Sequence, residues 1–477
     1  MSNQKTPVGA FATLVVIFFF WGFVAASNDI LIPVFKEALN LEQWQSQMIS
    51  FAFYVAYTVG AAAYFIASKI NGKDILNKIG YRNGLALGLL ISAAGTLLFI
   101  PAANNASFPL LLGGLFIVGL GFALQQTAAN PLAIVMGDPK QGSQRLSLAG
   151  GVNNVGTTIG PVIIAIAIFG SASGSGETAL SLSNVKTPYL ILGAAFLLAA
   201  AMFKFSSVPD QINLEDSSEK SHPNDHSVEK AKSVFSYPNL TLGMLAIFCY
   251  VGVEVSTASN LPEFMKEHTG INSSGIAPYV SLFWGSLMIG RWTSAAGAFN
   301  ISKTTKLVLN VVLPFVAFGI FILANYLGGH DLGPFKYYWI FIIGLIVLDY
   351  LSGGKPARQL LIYSLSAIVA LIFGIYSEGM TAAFAFISVG LFCSTLWPCI
   401  FTLGITGLGK ATNEGSSLLI MMICGGGFIS LLQGHLASPE YLGIQNSYWV
   451  GVACFAYLAF YAFKTRNLET GEMQGGH

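Results

Sequence analysis

Apolar runs of roughly twenty residues, parted by short polar breaks, organise the chain. They fall near 11–35, 46–68, 84–101, 109–136, 145–170 and 187–205. Beyond a hydrophilic stretch at about 206–236 they resume near 239–264, 276–298, 305–327, 335–351, 358–376, 379–406, 415–437 and 446–463. About 20 helical residues at 1.5 Å each cover the ~30 Å hydrocarbon core of a bilayer, so each run predicts a membrane-spanning helix. The reading is six spans, a linker, then eight more.

The first run, Phe11 to Phe35, carries Asn28 and Asp29 well inside it, followed by Pro33. A carboxylate in that setting costs on the order of 2.5–3.5 kcal/mol on insertion scales, so such residues face a protein interior or a wet cavity. Asp29 therefore reads as a functional position. The alternative is an acid near enough to the outer surface to stay hydrated, since Lys36 and Glu37 follow within two turns.

Composition agrees with this reading. The 477 residues are 54% hydrophobic and 9% charged, against about 25% charged in soluble proteins, which makes the chain an all-α polytopic membrane protein. A net charge of +1 argues against a nucleic-acid partner. The five cysteines all lie in apolar runs without a C-x-x-C pair and read as small core hydrophobes, not disulfides or metal ligands. The first run is too long for a signal-peptide core and lacks a basic flank and cleavage site.

Basic residues orient the spans. With the N-terminus cytoplasmic, 19 of the 23 Lys and Arg fall in inner segments, and only Lys36, Lys186, Lys266 and Lys336 in outer loops. Dropping one span would send Lys410, Lys464 and Arg466 outside, against the positive-inside rule, so fourteen spans and a cytoplasmic C-terminus fit better.

An internal repeat is also present. A shift of 229 sets Phe19 on Phe248, Trp21 on Tyr250, Ser27 on Ser256 and Pro33 on Pro262; a shift of 230 sets Tyr54 on Trp284 and Gly60 on Gly290. FIVGL at 116–120 meets FISVGL at 386–391 only at a shift near 270. The extra forty or so residues match a helical pair. Two six-helix halves explain these offsets: 1–205, then 237–477 with a hairpin inserted at about 330–378, joined by a cytoplasmic linker at 206–236. Parallel repeats around a midplane site mark secondary transporters.

Polar residues within the spans supply candidate ligands. Gln47, Ser50, Tyr54 and Tyr57 share one helix face; Gln126 and Asn130 are four apart; Asn153, Asn154, Thr157 and Thr158 follow on the fifth span; Glu254, Ser256, Thr257 and Asn260 lie on the seventh. Trp284 and Trp397 add aromatic surface. Neutral amides, hydroxyls and indoles suit an uncharged polyhydroxylated ligand, because amides match vicinal hydroxyls as donor and acceptor. An anionic substrate would call for buried Arg or Lys, and the spans show almost none. Ser, Thr and Asn also serve helix packing in lipid, at about 1 kcal/mol each, so Thr157 and Thr158 read as packing groups. The two tryptophans read equally as packing or interfacial residues.

NDILIPVF with Asp29, LQQTAANP at 124–131, QRLSLAGGVNNVGTTIGP at 144–161, IFCYVGVEVSTAS at 247–259 and PCIFTLGI at 398–405 together resemble the fucose–galactose–glucose:cation symporter family of the major facilitator superfamily. The resemblance implies two six-helix bundles that alternate access to a sugar moving with a proton or a sodium ion. It implies a cation-coupling role for Asp29, the protonation site of the fucose branch. Gln126 stands where that branch has a glutamate, and Gln126 with Glu254 resembles the glucose/galactose branch instead.

The expected function is cation-coupled symport of a neutral hexose such as glucose or galactose, with a fucose or N-acetylhexosamine symporter as the alternative among transporters. Asp29 and Glu254 are the expected coupling residues; Asn28, Tyr54, Gln126, Asn130, Asn153, Glu254, Trp284 and Trp397 are the expected sugar contacts. No metal site and no cofactor beyond the co-transported ion are expected, and the protein is expected to act as a monomer in a bacterial inner membrane. The rivals are a non-transporting sugar sensor and a polytopic membrane enzyme. The enzyme would need an acid or metal cluster, and His222 and His226 lie instead in the hydrophilic linker. ATP-driven pumping is disfavoured because Gly409-Lys410 lacks Walker spacing.

Overall fold

The computed structural model describes residues 7–38, 43–71, 74–138, 141–169, 182–211, 233–271, 273–298 and 301–468. Side chains at 26–38, 43–50, 161–162, 164–169, 182–185, 273–275, 297 and 410 lie outside that description. Among the described residues every regular element is helical. The first half holds α1 (Val8–Ala38), α2 (Gln43–Ile70), α3 (Ile75–Ile79), α4 (Tyr81–Leu97), α5 (Phe99–Asn104), α6 (Phe108–Val135), α7 (Gly142–Phe169) and α8 (Leu182–Lys204). The second opens with α9 (Pro238–Thr269), α10 (Ser273–Ala295), α11 (Lys303–Leu327), α12 (Trp339–Ser352) and α13 (Pro356–Tyr376). It closes with α14 (Gly379–Cys393), α15 (Leu396–Ile405), α16 (Thr412–Met421), α17 (Gly425–Leu436), α18 (Gly443–Asn446) and α19 (Trp449–Thr465). Eleven stretches among the described residues are long and apolar enough to cross a membrane, several of them joining two consecutive helices.

The halves repeat one packing scheme. In the first, α1 lies along α7, α2 along α6, and α4 against both α6 and α8; in the second, α9 lies along α17, α10 along α14, and α13 against both α14 and α19. Glycines set these close crossings. A Cβ on Gly119 would stand 3.1 Å from the Phe53 carbonyl oxygen and 2.6 Å from Ala56 Cβ; one on Gly390 would stand 2.5 Å from the Phe283 oxygen and 3.2 Å from Ser286 Cβ. Phe283 and Ser286 lie 230 residues beyond Phe53 and Ala56, the offset read from the sequence. Without a hydrophobic drive between helices in lipid, such small-residue contacts are the main source of helix association.

Two helices fall outside the scheme. α11 packs chiefly on α10, whereas α12 packs on α13 and α10. Only Pro314, Ala317, Phe321 and Asn325 of α11 are buried, a single stripe at spacings of three and four on an otherwise exposed apolar helix.

The halves meet along α7 with α10 and along α2 with α16. Their polar ties gather at the end of the molecule where basic residues collect, called here the basic end. Lys69 pairs with Glu414 at 2.7 Å, and the Tyr81 hydroxyl donates to Asn413 Oδ1 at 2.5 Å. Pro131, inside α6, has no N–H and frees the Thr127 carbonyl; the Ser416 hydroxyl, from the other half, donates to that oxygen at 3.2 Å.

Candidate functional site

In the first half an amide ladder joins three helices. Trp21 Nε1 donates to Gln125 Oε1 at 2.9 Å, and Gln125 Nε2 donates to Ser92 Oγ at 3.0 Å. Adjacent residues on a helix point about 100° apart, so Gln126 leaves this ladder and donates instead to the Tyr57 hydroxyl at 3.2 Å. Gln126 is half-buried whereas Gln125 is fully buried. Asn153 Nδ2 donates to the Phe18 carbonyl at 2.9 Å, tying α7 to α1. Asn130 is buried, and its Nδ2 has no hydrogen-bond partner among the described residues. Tyr54, half-buried, meets α17 of the other half, where a Cβ on Gly426 would stand 3.1 Å from its ring.

In the second half Glu254 is half-buried on α9, with Tyr250 one turn before it on the same helix and the Arg291 guanidinium within electrostatic reach. The Tyr250 ring stands 6.3 Å from Trp397, which stacks on Phe401 at 5.9 Å. Arg291 crosses between the halves. Its Nε donates to the Ser394 carbonyl at 2.9 Å, while one terminal nitrogen donates to the Gly150 carbonyl at 3.1 Å and to Asn154 Oδ1. Asn154 returns a bond from Nδ2 to the Trp284 carbonyl at 3.3 Å. A buried cation costs several kcal/mol unless its donors are satisfied, and here α7 of the opposite half and the α14–α15 junction of its own half share that task.

The sequence-predicted residues therefore divide. Gln126, Asn153 and Tyr54 on α6, α7 and α2, and Trp284 and Trp397 on α10 and α15, lie on helices that meet across the boundary between halves, while Glu254 stands on α9 within electrostatic reach of Arg291 there. Asn153, however, spends its amide hydrogen on α1, and Trp284 meets α7 through its main chain. The side chains of Asn28 and Asp29 lie outside the described residues. Thr157 and Thr158 donate to their own helix at Asn154 O, at 2.9 and 2.8 Å, as packing groups would.

Sequence reading missed three groups and misread two. It chose Gln126 and passed over its neighbour Gln125, and it omitted Tyr250 and Asp349. It also counted Arg145 and Arg291 as inner-segment charges and took the spans to be almost free of buried cations. Both arginines are buried, at 0% and 9% exposure. The Arg145 Nε donates to the Ala133 carbonyl at 3.0 Å and a terminal nitrogen to the Ile134 carbonyl, capping the end of α6. Two of the Arg145 nitrogens and two of the Arg291 nitrogens thus donate to protein oxygens, while the remaining terminal nitrogen of Arg145 is buried with no partner among the described residues.

A model of the Major Facilitator Superfamily matches residues 9–348. The glucose/galactose transporter of Brucella abortus biovar 1 (strain 9-941) is 33% identical over 462 residues, covering 96% of this chain and 95% of that one. The crystal structure of the Escherichia coli fucose:proton symporter, FucP, aligns with a TM-score of 0.69 at 25% identity over 95% of this chain and 98% of that one. A second FucP structure, in the outward conformation, aligns at 0.68 with the same identity and coverage.

Proposed function

Because the chain belongs to the Major Facilitator Superfamily, and within it to the fucose–galactose–glucose:cation symporter family, we propose that it carries a neutral hexose, glucose or galactose, together with a cation by alternating access. The observation that carries this reading is the boundary between the halves. There amides and two indoles stand on facing helices, a carboxylate lies within electrostatic reach of Arg291, and the buried arginines donate to protein oxygens. Such a boundary suits hydroxyls and an apolar ring face. The near full-length match to a transporter named for glucose and galactose supports the same substrate class.

Gln126, Asn130 and Asn153 are the proposed amide contacts on one side, with Tyr54 beside them. Glu254, Trp284 and Trp397 face them. Asp29 and Glu254 are the proposed coupling acids, with Asn28 next to the first: a bound cation cancels the charge and lets the loaded protein rearrange across a dry barrier. One charge moving down ~100 mV supplies about 2.3 kcal/mol, enough for roughly fifty-fold accumulation.

The protein is a multi-pass membrane protein. We propose fourteen spans, the eleven apolar ones with α7, α10 and α19 added. The added pair is then α11 with α12 rather than the helices near 335–351 and 358–376, because α13 has the packing of α4. By the positive-inside rule we assign the basic end and both termini to the cytoplasmic side, and the ties between halves at that end support an outward-facing reading. A bacterial inner membrane and a functional monomer complete the proposal.

Purified protein in liposomes tests it, with labelled glucose, galactose, fucose and N-acetylglucosamine offered under a proton or a sodium gradient imposed separately. Gradient-driven entry of glucose or galactose is expected. Saturable binding without flux would indicate a sensor, product formation an enzyme, and either would end this reading. Asp29→Asn is expected to abolish uphill uptake yet keep sugar exchange; accumulation at the wild-type level would remove Asp29 from coupling.

A further inference from the structure

The buried acid Asp349 has no part in the proposed site, yet it is among the best-ligated carboxylates in the molecule. It lies on α12, whose buried positions are Ile342, Leu345, Asp349 and Ser352. Those spacings of three and four define one inward stripe on a helix whose other faces are apolar and exposed. A carboxylate on a docking stripe in lipid costs on the order of 2.5–3.5 kcal/mol against an apolar residue. Membrane residence and packing alone would favour a leucine there.

Its oxygen Oδ1 accepts from two other helices. Ser294 Oγ, on α10, donates at 2.8 Å; Gln359 Nε2, on α13, at 2.9 Å; and the Tyr363 hydroxyl at 3.4 Å. Gln359 Nε2 also reaches Ser294 Oγ at 3.0 Å, and the Cys399 thiol, on α15, donates to Gln359 Oε1 at 3.5 Å. Lys306, at the start of α11, supplies positive charge within electrostatic reach. Ser294 follows Arg291 by three residues on α10, and Cys399 follows Trp397 by two on α15. The network thus ends one turn from the side chain that ties the halves together and beside an aromatic wall of the proposed site.

The repeat supplies a second, independent observation. In the first half the Tyr64 hydroxyl donates to Asp74 Oδ1 at 2.9 Å. Tyr64 and Ser294 are 230 residues apart, the offset between α2 and α10. Both acids lie between the second and third core helices of their half and accept from the equivalent position of the second. In the first half that acid sits on a short connection; in the second it is delivered by the added pair.

We propose that Asp349 is a positioning residue for transport: from the added pair it fixes α10 and α15 at the depth where Arg291 closes the basic end and Trp397 faces the sugar. The link to sugar rests on the transport reading above; the brace on α10 does not. Loosening it lowers the population of the state closed at the basic end, which raises the apparent KM for external sugar by the same factor and leaves kcat of exchange near its original value.

The test compares Asp349→Ala with Asp349→Asn, which keeps an acceptor oxygen for Ser294 and Gln359. In proteoliposomes the alanine variant is expected to raise KM for external sugar about ten-fold with kcat within about two-fold, and the asparagine variant to restore KM to within about three-fold of wild type. A purely structural role would lower the amount of active protein and leave KM in place. Hydrogen exchange on the same proteins, which needs no sugar, is expected to quicken at 142–152 of α7 and 288–295 of α10. Unchanged KM with exchange altered only in α11 to α13, or equal defects in both variants, would overturn the brace. Should the alanine protein fail to fold, Ser294→Ala removes one donor alone and is held to the same direction of change in KM and exchange. Wild-type protein that moves no sugar, with faster α7 exchange in the variant, would sink the transport reading and keep the brace.

Discussion

Asn154→Ala probes the contact between halves most directly. The substitution takes one acceptor from the Arg291 guanidinium and the Nδ2 donor from the Trp284 carbonyl, leaving Arg291 with the Gly150 and Ser394 carbonyls. A hydrogen bond to a charged group contributes about 1.5–3 kcal/mol and a neutral one about 0.5–1.5 kcal/mol. Both join α7 to α10, elements of opposite halves, so both must break before the basic end can open. A loss of about 2 kcal/mol, the low end of that sum, shifts the opening equilibrium roughly thirty-fold toward the open state. Asn154→Asp places a carboxylate against the guanidinium and works in the opposite direction. The assay is the rate at which an impermeant maleimide, applied from the basic side, labels a reporter cysteine at Leu148→Cys, half-buried and nearly two turns before Asn154 on α7. Labelling is expected to quicken in Asn154→Ala and to slow in Asn154→Asp. Equal rates in all three proteins, or faster labelling of the aspartate variant, would refute the claim that Arg291 and Asn154 hold that end shut.

Other substitutions separate packing from ligand contact. Gly390→Val drives a branched side chain against the Phe283 carbonyl, 2.5 Å from where its Cβ must sit; a loss of about 1–3 kcal/mol is expected, read as a lower Tm in detergent. Gln125→Leu strands the Trp21 and Ser92 groups and should cost about 1–3 kcal/mol in the same melt, while Gln126→Leu should spare Tm and raise KM for sugar. Lys69→Ala breaks an ion pair whose lysine is 51% exposed, so Tm should move little, consistent with less than about 1 kcal/mol for surface pairs.

Much of the architecture was legible in the sequence because lipid imposes a one-dimensional rule: every span must be apolar for about twenty residues. Run lengths therefore disclosed the helices, and the offset of 230 disclosed the paired packing of Gly119 on Phe53 and of Gly390 on Phe283. The rule that singled out Asp29 applies equally to Asp349 in WIFIIGLIVLDYLS. That signal was present, and attention to the first half left it unread. Gln125 and Gln126, by contrast, are the same residue type side by side, and nothing local distinguishes the structural amide from the available one.

Residue order thus determined which segments cross the membrane, how many times the plan repeats and which polar types are available to a ligand. Only tertiary structure decided how those polar groups are spent. Arg145 caps α6, Arg291 ties two halves, Asn153 holds α1, and Asp349 draws α12 onto α10, α13 and α15. The physical reason is that hydropathy depends on each residue alone, whereas a hydrogen bond depends on which partner a distant helix brings within three ångströms.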